Sequence, residues 1–249
     1  MPLLALDTSS AASAAVVDDD GRTLASRSSD EPRRHAELLT PLIEQVLVEA
    51  GVDRAELTGI VVGTGPAPFT GLRVGLVTAR TLGLALDIPV HGVSSLDALA
   101  LAAVDRGLSD RTDLAERSVL VVTDARRREV YWATYRPVVG AGAQPSVEVL
   151  AGPAVGPAAD LVPAELGDCL AVGPGTALYA AELAEVGVEV DSDPRAVAGV
   201  DSADLARVAQ ARLAAAVGVP ESAVLLPTEP LYLRRPDAVP SAAAKRASA

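Results

Sequence analysis

The stretch LLALDTSSAASAAVV (Leu3–Val17) contains the plan on which the whole chain is built. Its first apolar residues predict a buried strand that ends at Asp7, and a small polar turn then leads into a second apolar strand. The same plan recurs in VLVVTDARRREVYWATY (Val119–Tyr135), where a buried strand ends at Asp124 and a polar turn precedes the next strand. This recurrence predicts an α/β protein made of two lobes that arose by duplication.

Two amphipathic helices are predicted in the first lobe. The first spans Arg34–Ala50, where apolar residues recur at helical spacing and Gly51 stands where a helix commonly ends. Pro41 lies inside this pattern and predicts a kink or a late start of the helix. The second helix, Gly71–Leu86, follows the turn GTGPAPFTG, and Thr70 is placed to cap its first turn.

The second half of the chain is less regular. Ala98–Glu116 predicts a helix with a polar connection, and Pro137–Pro163 is rich in Gly, Pro and Ala and predicts mainly loop. Ser202–Val217 predicts an amphipathic helix. Beyond Pro236 the composition changes to Pro, Ala and Ser, which predicts a disordered tail over 236–249.

Composition excludes several classes of function. The 249 residues include 21 basic and 33 acidic side chains, a net charge of −12, and only 2% are aromatic, so this chain alone is a poor single-stranded nucleic-acid binder. The single lysine, Lys245, lies near the end of the chain, which leaves no lysine inside the fold for phosphate binding or Schiff-base chemistry. With Cys169 as the only cysteine, an internal disulfide and a Cys-based zinc site are both excluded.

The residues that carry polar chemistry each have a functional and a structural interpretation. Asp7, Thr8 and Ser9 can hold a phosphate or a metal-bound water, or they can simply begin a hairpin. Arg126–Arg128 is either a solvated turn or a contact for an anion or an acidic partner. His35 and His91 have no second histidine at metal-ligand spacing, and the surroundings of Cys169 do not indicate an activated thiol.

The segment GTGPAPFTGLRVGL (Gly63–Leu76) resembles the signature of the TsaB (YeaZ) family, which takes part in threonylcarbamoyladenosine synthesis on bacterial tRNA. LLALDTSS, HAELLTPLIEQVLVEAG, PVHGVSSLDALA, DARRREVYWATY and LYLR also match the family in order and spacing, so the resemblance covers Leu3–Arg234. It implies the two-lobed actin, Hsp70 and sugar-kinase (ASKHA) fold, built from duplicated ribonuclease-H-like lobes. We expect a first lobe over 1–105 and a smaller, degenerate lobe over 106–235.

The resemblance also implies that this chain is not an enzyme. The catalytic relatives of the family, the TsaD proteins, carry a metal-binding His-x-x-x-His where this chain has Ser95 and Leu99, and leucine cannot ligate a metal. The second phosphate loop of the superfamily is usually glycine-rich, whereas here Asp124 is followed by Ala125 and three arginines. We therefore expect a degenerate phosphate turn at Asp7, and no cofactor.

The expected role is that of a scaffold that binds a TsaD-like catalytic subunit, with a TsaE-like ATPase docking on the pair. The contact is expected on the two helices of the first lobe, whose small residues at four-residue spacing suit close helix packing. The predicted interface consists of His35, Leu38, Leu39, Leu42, Val46, Gly71, Leu72, Gly75, Leu76 and Ala79. The same surface can pair two copies of this chain, tRNA is contacted only through the complex, and no membrane is involved.

Two other functions remain open at this stage. One is a stand-alone ATP-dependent kinase of small molecules, with Asp7 and Asp124 near Mg-ATP. The other is a peptidase, although the sequence offers neither a metal pair nor a credible triad. The N-terminus lacks a signal-peptide pattern and no segment has the composition of a spanning helix, so we expect a cytoplasmic protein.

Overall fold

A computed structural model of the protein describes residues 2–234 except 30, 32–33, 111–116, 140–143, 162–167, 217, 219 and 221–223. The first half contains these elements in chain order: β1 (Leu3–Asp7), β2 (Ser13–Val17), β3 (Thr23–Ser28), α1 (His35–Ala50), β4 (Gly59–Gly63), α2 (Phe69–Leu86), β5 (Val90–Val93) and α3 (Ser95–Asp110). The second half contains β6 (Ser118–Asp124), β7 (Glu129–Val138), β8 (Ser146–Pro157), β9 (Cys169–Val172), α4 (Gly175–Leu178), α5 (Ala180–Glu185), β10 (Glu189–Val190) and α6 (Ser202–Ala215). No helix in these ranges combines the length and the apolar character that crossing a membrane requires.

The two sheets have the same topology. The first has the strand order β3-β2-β1-β4-β5 and the second β8-β7-β6-β9-β10. In both, the first three strands of the lobe are antiparallel, and the last two run parallel to the first. Shared order and direction confirm the duplication and the two-lobed ASKHA fold of ribonuclease-H-like lobes.

Burial on both faces of the sheets explains their continuous apolar strands. On the outer face of the first sheet, α1 and α2 cover Leu4, Leu6, Ile60 and Val62. Between the sheets, α3 and α6 pack in one core with residues of both lobes, among them Val61 and the fully buried Tyr135. The helix α6 follows the second lobe in sequence yet packs on β1, β2 and β4, so the lobes share their central layer.

The helices on the outer face of the second lobe are shorter than those on the outer face of the first lobe. Its sheet is covered there by the short helices α4 and α5, with Tyr179 and Leu183 in the core. The boundary predicted at residue 105 falls within α3, and the described part of the chain from residue 224 returns to the first lobe. The division into 1–105 and 106–235 stays a prediction.

Several local predictions are corrected. The helix α2 begins at Phe69 with Pro68 at its N-cap and no side-chain cap, so Thr70 lies inside the first turn. The late start of α1 is wrong, because the helix runs through Pro41 from His35. The loop predicted over Pro137–Pro163 contains β8, an edge strand. Only one side of an edge strand pairs, which is why β8 tolerates Pro and Gly. The predicted tail, 236–249, lies outside the described residues.

Candidate functional site

The turns that follow β1 and β6 face each other across a cleft between the lobes. The cleft has a volume of about 690 Å³ and is lined by both turns and by the first turn of α2. Its lining includes Thr8, Ser9, His35, Gly71 and Asp124. The two polar turns noticed in the sequence thus meet at one site because the strands that precede them hold equivalent positions in two facing sheets.

Asp7 is not among the residues that line this cleft and is fully buried. One carboxylate oxygen accepts hydrogen bonds from the backbone N–H and the hydroxyl of Ser9, at 2.7 and 2.6 Å. The other accepts the hydroxyl of Ser95 at 2.6 Å. Burial raises the pKa of the Asp7 carboxyl, against the lowering effect of these hydrogen bonds. Both oxygens of the carboxylate therefore accept hydrogen bonds from within the protein.

The metal pair of the catalytic relatives does not fit here. Ser95 uses its hydroxyl to bind Asp7, and Leu99 is 7% exposed and packs in the central core. Neither supplies the imidazole that a metal site at this position would need. Within the described residues, the acidic group close enough to share an ion is Asp18–Asp20, on the exposed hairpin between β2 and β3.

Thr8 joins the first turn to α2. Its hydroxyl accepts the backbone N–H of Gly75 at 3.1 Å. A Cβ at Gly75 would lie 2.6 Å from that hydroxyl oxygen, so only glycine allows the helix to approach the turn this closely. A Cβ at Gly71 would lie 3.0 Å from the Thr8 carbonyl oxygen. The small-residue stripe of α2 therefore packs closely against the first turn, and Gly75 and Ala79 are buried in this chain.

His35 closes the other side of the first turn. Its Nε2 lies 2.7 Å from the carbonyl oxygen of Ser10, which places the start of α1 against the turn. His91 lies in β5, and Cys169 is buried at the start of β9, where burial raises the pKa of its thiol. His35, His91 and Cys169 thus lie on three different elements, α1, β5 and β9.

The turn between β6 and β7 has a backbone conformation that is typical of glycine, although it contains no glycine. Arg126, Arg127 and Arg128 have φ values of 64°, 56° and 62°, in the left-handed region where non-glycine residues are disfavoured by about 1–2 kcal/mol each. Asp124 accepts the N–H of Arg126 at 2.8 Å and the hydroxyl of Tyr179 at 2.9 Å. Burial and the neighbouring Asp124 raise the pKa of Tyr179 to about 12. Three non-glycine residues thus adopt here the left-handed backbone conformation that glycine adopts without strain.

The deep end of the cleft is narrow. A cavity of about 30 Å³ lies between the lobes, lined by Ser9, Ser95, Thr123 and Asp124 among others. A space of this size admits one or two water molecules.

The family comparisons agree with this geometry. The family model described as TsaD, tRNA N6-adenosine threonylcarbamoyltransferase, matches residues 28–241. The chain belongs to this family, in its TsaB-type branch. A crystal structure from Pseudomonas aeruginosa, described as similar to the peptidase YeaZ, matches at TM-score 0.71 and 32% identity, over 94% of this chain and 99% of that one.

Two relatives align with different shares of this chain. An uncharacterized protein of Mycobacterium leprae is 42% identical over 243 residues, 96% of this chain and 56% of its own length. The tRNA threonylcarbamoyladenosine biosynthesis protein TsaB of Escherichia coli is 33% identical over 136 residues, 55% of each chain. The chain thus spans little more than half the length of these two relatives.

Most of the predicted partner interface is internal in the TsaB-type chain. Seven of the ten residues are buried in the core beneath α1 and α2: Leu39, Leu42, Val46, Leu72, Gly75, Leu76 and Ala79. Leu38 is half-buried, and His35 and Gly71 line the cleft. Apolar residues at helical spacing mark the face of a helix that packs on its own sheet. The same spacing defined the predicted interface, which explains why that interface consists mostly of buried side chains.

The residues that remain available on these helices are different ones. Val48 on α1 is 80% exposed, and Val77 and Leu84 on α2 are 62% and 86% exposed. Val77 and Leu84 are seven residues apart and therefore share one face of α2. Sequence analysis missed them because an isolated apolar residue outside the main stripe is common on protein surfaces.

Three further residues at the site were also missed. Ser95 fixes the inward orientation of Asp7, Tyr179 holds Asp124, and Arg234 contacts the carbonyl of Ala125 beside it. Each lies tens of residues away from the group it binds, so no local motif links them. The LYLR segment (Leu231–Arg234) is the local signal that contains one of them, Arg234.

Proposed function

We propose that the chain is a non-catalytic subunit of the complex that makes N6-threonylcarbamoyladenosine in tRNA, and that it binds and supports a TsaD-like catalytic subunit. Membership of the TsaB-type branch supports the pathway. The observation that carries the non-catalytic role is Asp7: the carboxylate best placed to serve a nucleotide or metal is fully buried and bonded to Ser9 and Ser95. A TsaE-like ATPase docks on the pair, and tRNA is contacted through the complex.

The docking face that we propose is the outward side of α1 and α2, defined by Val48, Val77 and Leu84. Both helices lie on the outer face of the first sheet and contact each other. Large apolar side chains that are exposed to solvent in the monomer are typical of a surface that binds another protein. This face replaces the set of buried side chains that the sequence suggested.

The charges of the two helices favour a self-complementary arrangement. The helix α1 carries three glutamates and no Lys or Arg, whereas α2 carries two arginines and no acidic residue. Under a two-fold axis, α1 of one protein faces α2 of the other, so opposite charges meet. A TsaD-like relative with the same fold can use this arrangement, and two copies of this chain can use it when that partner is absent.

The test is binding of the organism's TsaD-like subunit by isothermal titration calorimetry, with light scattering to establish the stoichiometry. Leu84→Glu places a charge on the proposed face and is expected to weaken binding at least tenfold. Leu150→Glu is the matched control, because Leu150 is 45% exposed on β8, outside the proposed face. Equal affinities for Leu84→Glu and the unmodified chain would remove this face from the proposal.

The non-catalytic role is tested on the isolated chain. We expect Mg-ATP to bind weakly and no phosphate to be transferred, because Asp7 is not presented to the cleft. Tight Mg-ATP binding, with hydrolysis that is lost in Asp7→Asn, would instead support the kinase. A complex that forms t6A equally well with Asp7→Asn and with the unmodified chain would support a structural role for this residue.

A further inference from the structure

The segment Leu226–Arg234, which we call the strap, connects the two lobes along the side of α2. Its first residue pairs with β5: the N–H of Leu226 donates to the carbonyl of Gly92 and the reverse bond is also present, both at 3.0 Å. Further along, the N–H of Leu231 donates to the carbonyl of Thr64 at 2.8 Å. The strap is therefore fixed to the first lobe at two backbone positions.

The glycine at position 92 makes this attachment feasible. A Cβ at Gly92 would lie 2.6 Å from the carbonyl oxygen of Pro227 and 2.8 Å from that of Leu226. Such distances are far below normal van der Waals contact. The strap thus approaches the backbone of β5 more closely than any side chain would allow.

The middle of the strap is held by the outward side of α2. Arg73 donates to the hydroxyl of Tyr232 at 2.8 Å, and Arg80 donates to the hydroxyl of Thr228 at 2.9 Å. The ring of Tyr232 stacks on Phe69 with the ring centroids 4.6 Å apart, and the guanidinium of Arg73 lies 3.6 Å from the centroid of Phe69. These contacts join the strap to α2 from its first turn to its middle.

The two arginines lie on the proposed docking face. Residues 73, 77, 80 and 84 are spaced by four, three and four, which places all four within one narrow stripe of a helix. Arg73 and Arg80 therefore alternate with Val77 and Leu84 along α2. A partner that covers Val77 and Leu84 necessarily contacts the arginines that hold the strap.

The end of the strap is fastened to the second lobe. Arg234 donates to the carbonyl of Ala125 at 3.1 Å and forms an ion pair with Glu129. Ala125 and Glu129 bracket the turn of three left-handed arginines that borders the cleft, and the N–H of Ala125 donates to the carbonyl of Glu129 at 2.9 Å. Arg234 thus holds both ends of this turn.

We propose that the strap couples docking on the outward face of α2 to the position of the turn between β6 and β7, with Arg234 as the residue that transmits the effect. A partner that engages Arg73 and Arg80 competes with Thr228 and Tyr232 and shifts the strap, and the shift reaches the second lobe through Arg234. This inference rests on the docking face of the proposed function. It adds a route by which a subunit bound to the first lobe changes the opening of the cleft.

The first test is amide hydrogen exchange of the free chain, read on peptides that cover residues 124–130. In Arg234→Ala we expect exchange there about tenfold faster, equivalent to about 1.4 kcal/mol, because the turn loses its link to the first lobe. Glu129→Gln removes the ion pair from the other side and should change exchange in the same direction. Arg136→Ala is the control, since Arg136 makes an ordinary surface pair with Glu148. Unchanged exchange in both test variants would overturn the role of Arg234.

The second test adds the TsaD-like subunit and separates this inference from the proposed function. With the unmodified chain we expect exchange to change both in α2 and in the turn at 124–130 when the complex forms. With Arg234→Ala we expect the complex to form with the same stoichiometry, while the turn no longer responds. A response of the turn that persists in Arg234→Ala overturns the coupling and leaves the docking proposal intact, whereas failure of the unmodified chain to bind overturns the docking proposal itself.

Discussion

The buried carboxylate of Asp204 should make the protein more stable in mild acid than in base. Asp204 lies in the first turn of α6, 5% exposed, and forms an ion pair with Arg207, which also pairs with Asp105. Burial raises the pKa of Asp204 from 3.8 to about 7, although Arg207 lowers it and the charges of Asp201 and Asp105 add to the rise. The folded protein therefore keeps this proton over a pH range in which the unfolded chain has lost it.

The sign and the size of the effect follow from linkage. Between pH 3.8 and about 7 the unfolded state binds fewer protons than the folded state, so the free energy of unfolding falls as pH rises, and the loss is complete above about pH 7. A rise of about three units in the pKa of Asp204 contributes about 4 kcal/mol to the free energy of unfolding at low pH. About 3 kcal/mol of this contribution is lost between pH 4.5 and 8. This is a large share of the 5–15 kcal/mol typical of a folded domain.

The assay is urea unfolding at pH 4.5 and pH 8, followed by circular dichroism, on the unmodified chain and on Asp204→Asn. Asparagine does not titrate, so the difference in unfolding free energy between the two pH values should shrink by about 3 kcal/mol. Groups that titrate away from Asp204 and Arg207, including the buried Asp7, are common to both proteins and cancel. Asp168→Asn serves as the control, because Asp168 is 83% exposed at its ion pair with Arg117. An equal pH dependence for Asp204→Asn and the unmodified chain would refute the reasoning.

Two further predictions concern buried contacts at the site and between the lobes. Gly75→Val should destabilise the protein by about 1–3 kcal/mol in thermal unfolding, because a Cβ would lie 2.6 Å from the Thr8 hydroxyl oxygen. Gly156→Ala is the control in the same experiment, since no atom lies within 4 Å of its added Cβ. Tyr135→Phe removes the hydroxyl that donates to Asp97 at 2.8 Å in the central core, and urea unfolding should show a loss of about 1–3 kcal/mol. A loss no larger for Gly75→Val than for Gly156→Ala, or unchanged stability in Tyr135→Phe, would contradict these two contacts.

Much of the fold could be predicted from the sequence. The strands around Asp7 and Asp124 were located from short apolar runs, and the identical order of the two sheets confirms that these runs are equivalent. The helix predicted over Ser202–Val217 corresponds to α6, which begins at Ser202 as predicted and ends at Ala215. These elements are local: a run of buried residues ends where a turn residue or a polar cluster begins.

The long strand β8 shows where local signals mislead. Its Gly and Pro residues are typical of loops, and the sequence indicated a loop there. A strand forms because β7 supplies partners along one edge, while the unpaired edge does not need the N–H groups that proline lacks. Only the position of β8 at the edge of its sheet, which is a property of the whole lobe, decides this outcome.

Most residues of the predicted interface are buried for a similar reason. The apolar stripe of α1 and the small residues of α2 identify a face that excludes water, but they do not reveal what excludes it. In the folded protein the stripe covers the first sheet and Gly75 packs on Thr8, so the outward face carries Val77 and Leu84 instead.

The sequence by itself determined the duplicated α/β plan and the absence of any lysine before residue 245, and the family resemblance placed Ser95 and Leu99 where the catalytic relatives have metal ligands. These conclusions depend only on which residues occur and in what order. The tertiary structure decided that Asp7 faces inward to Ser95, that three arginines adopt left-handed backbone, and that Arg234 joins the lobes. Each of these depends on contacts between distant residues, whose geometry is set when the two sheets pack around α3 and α6.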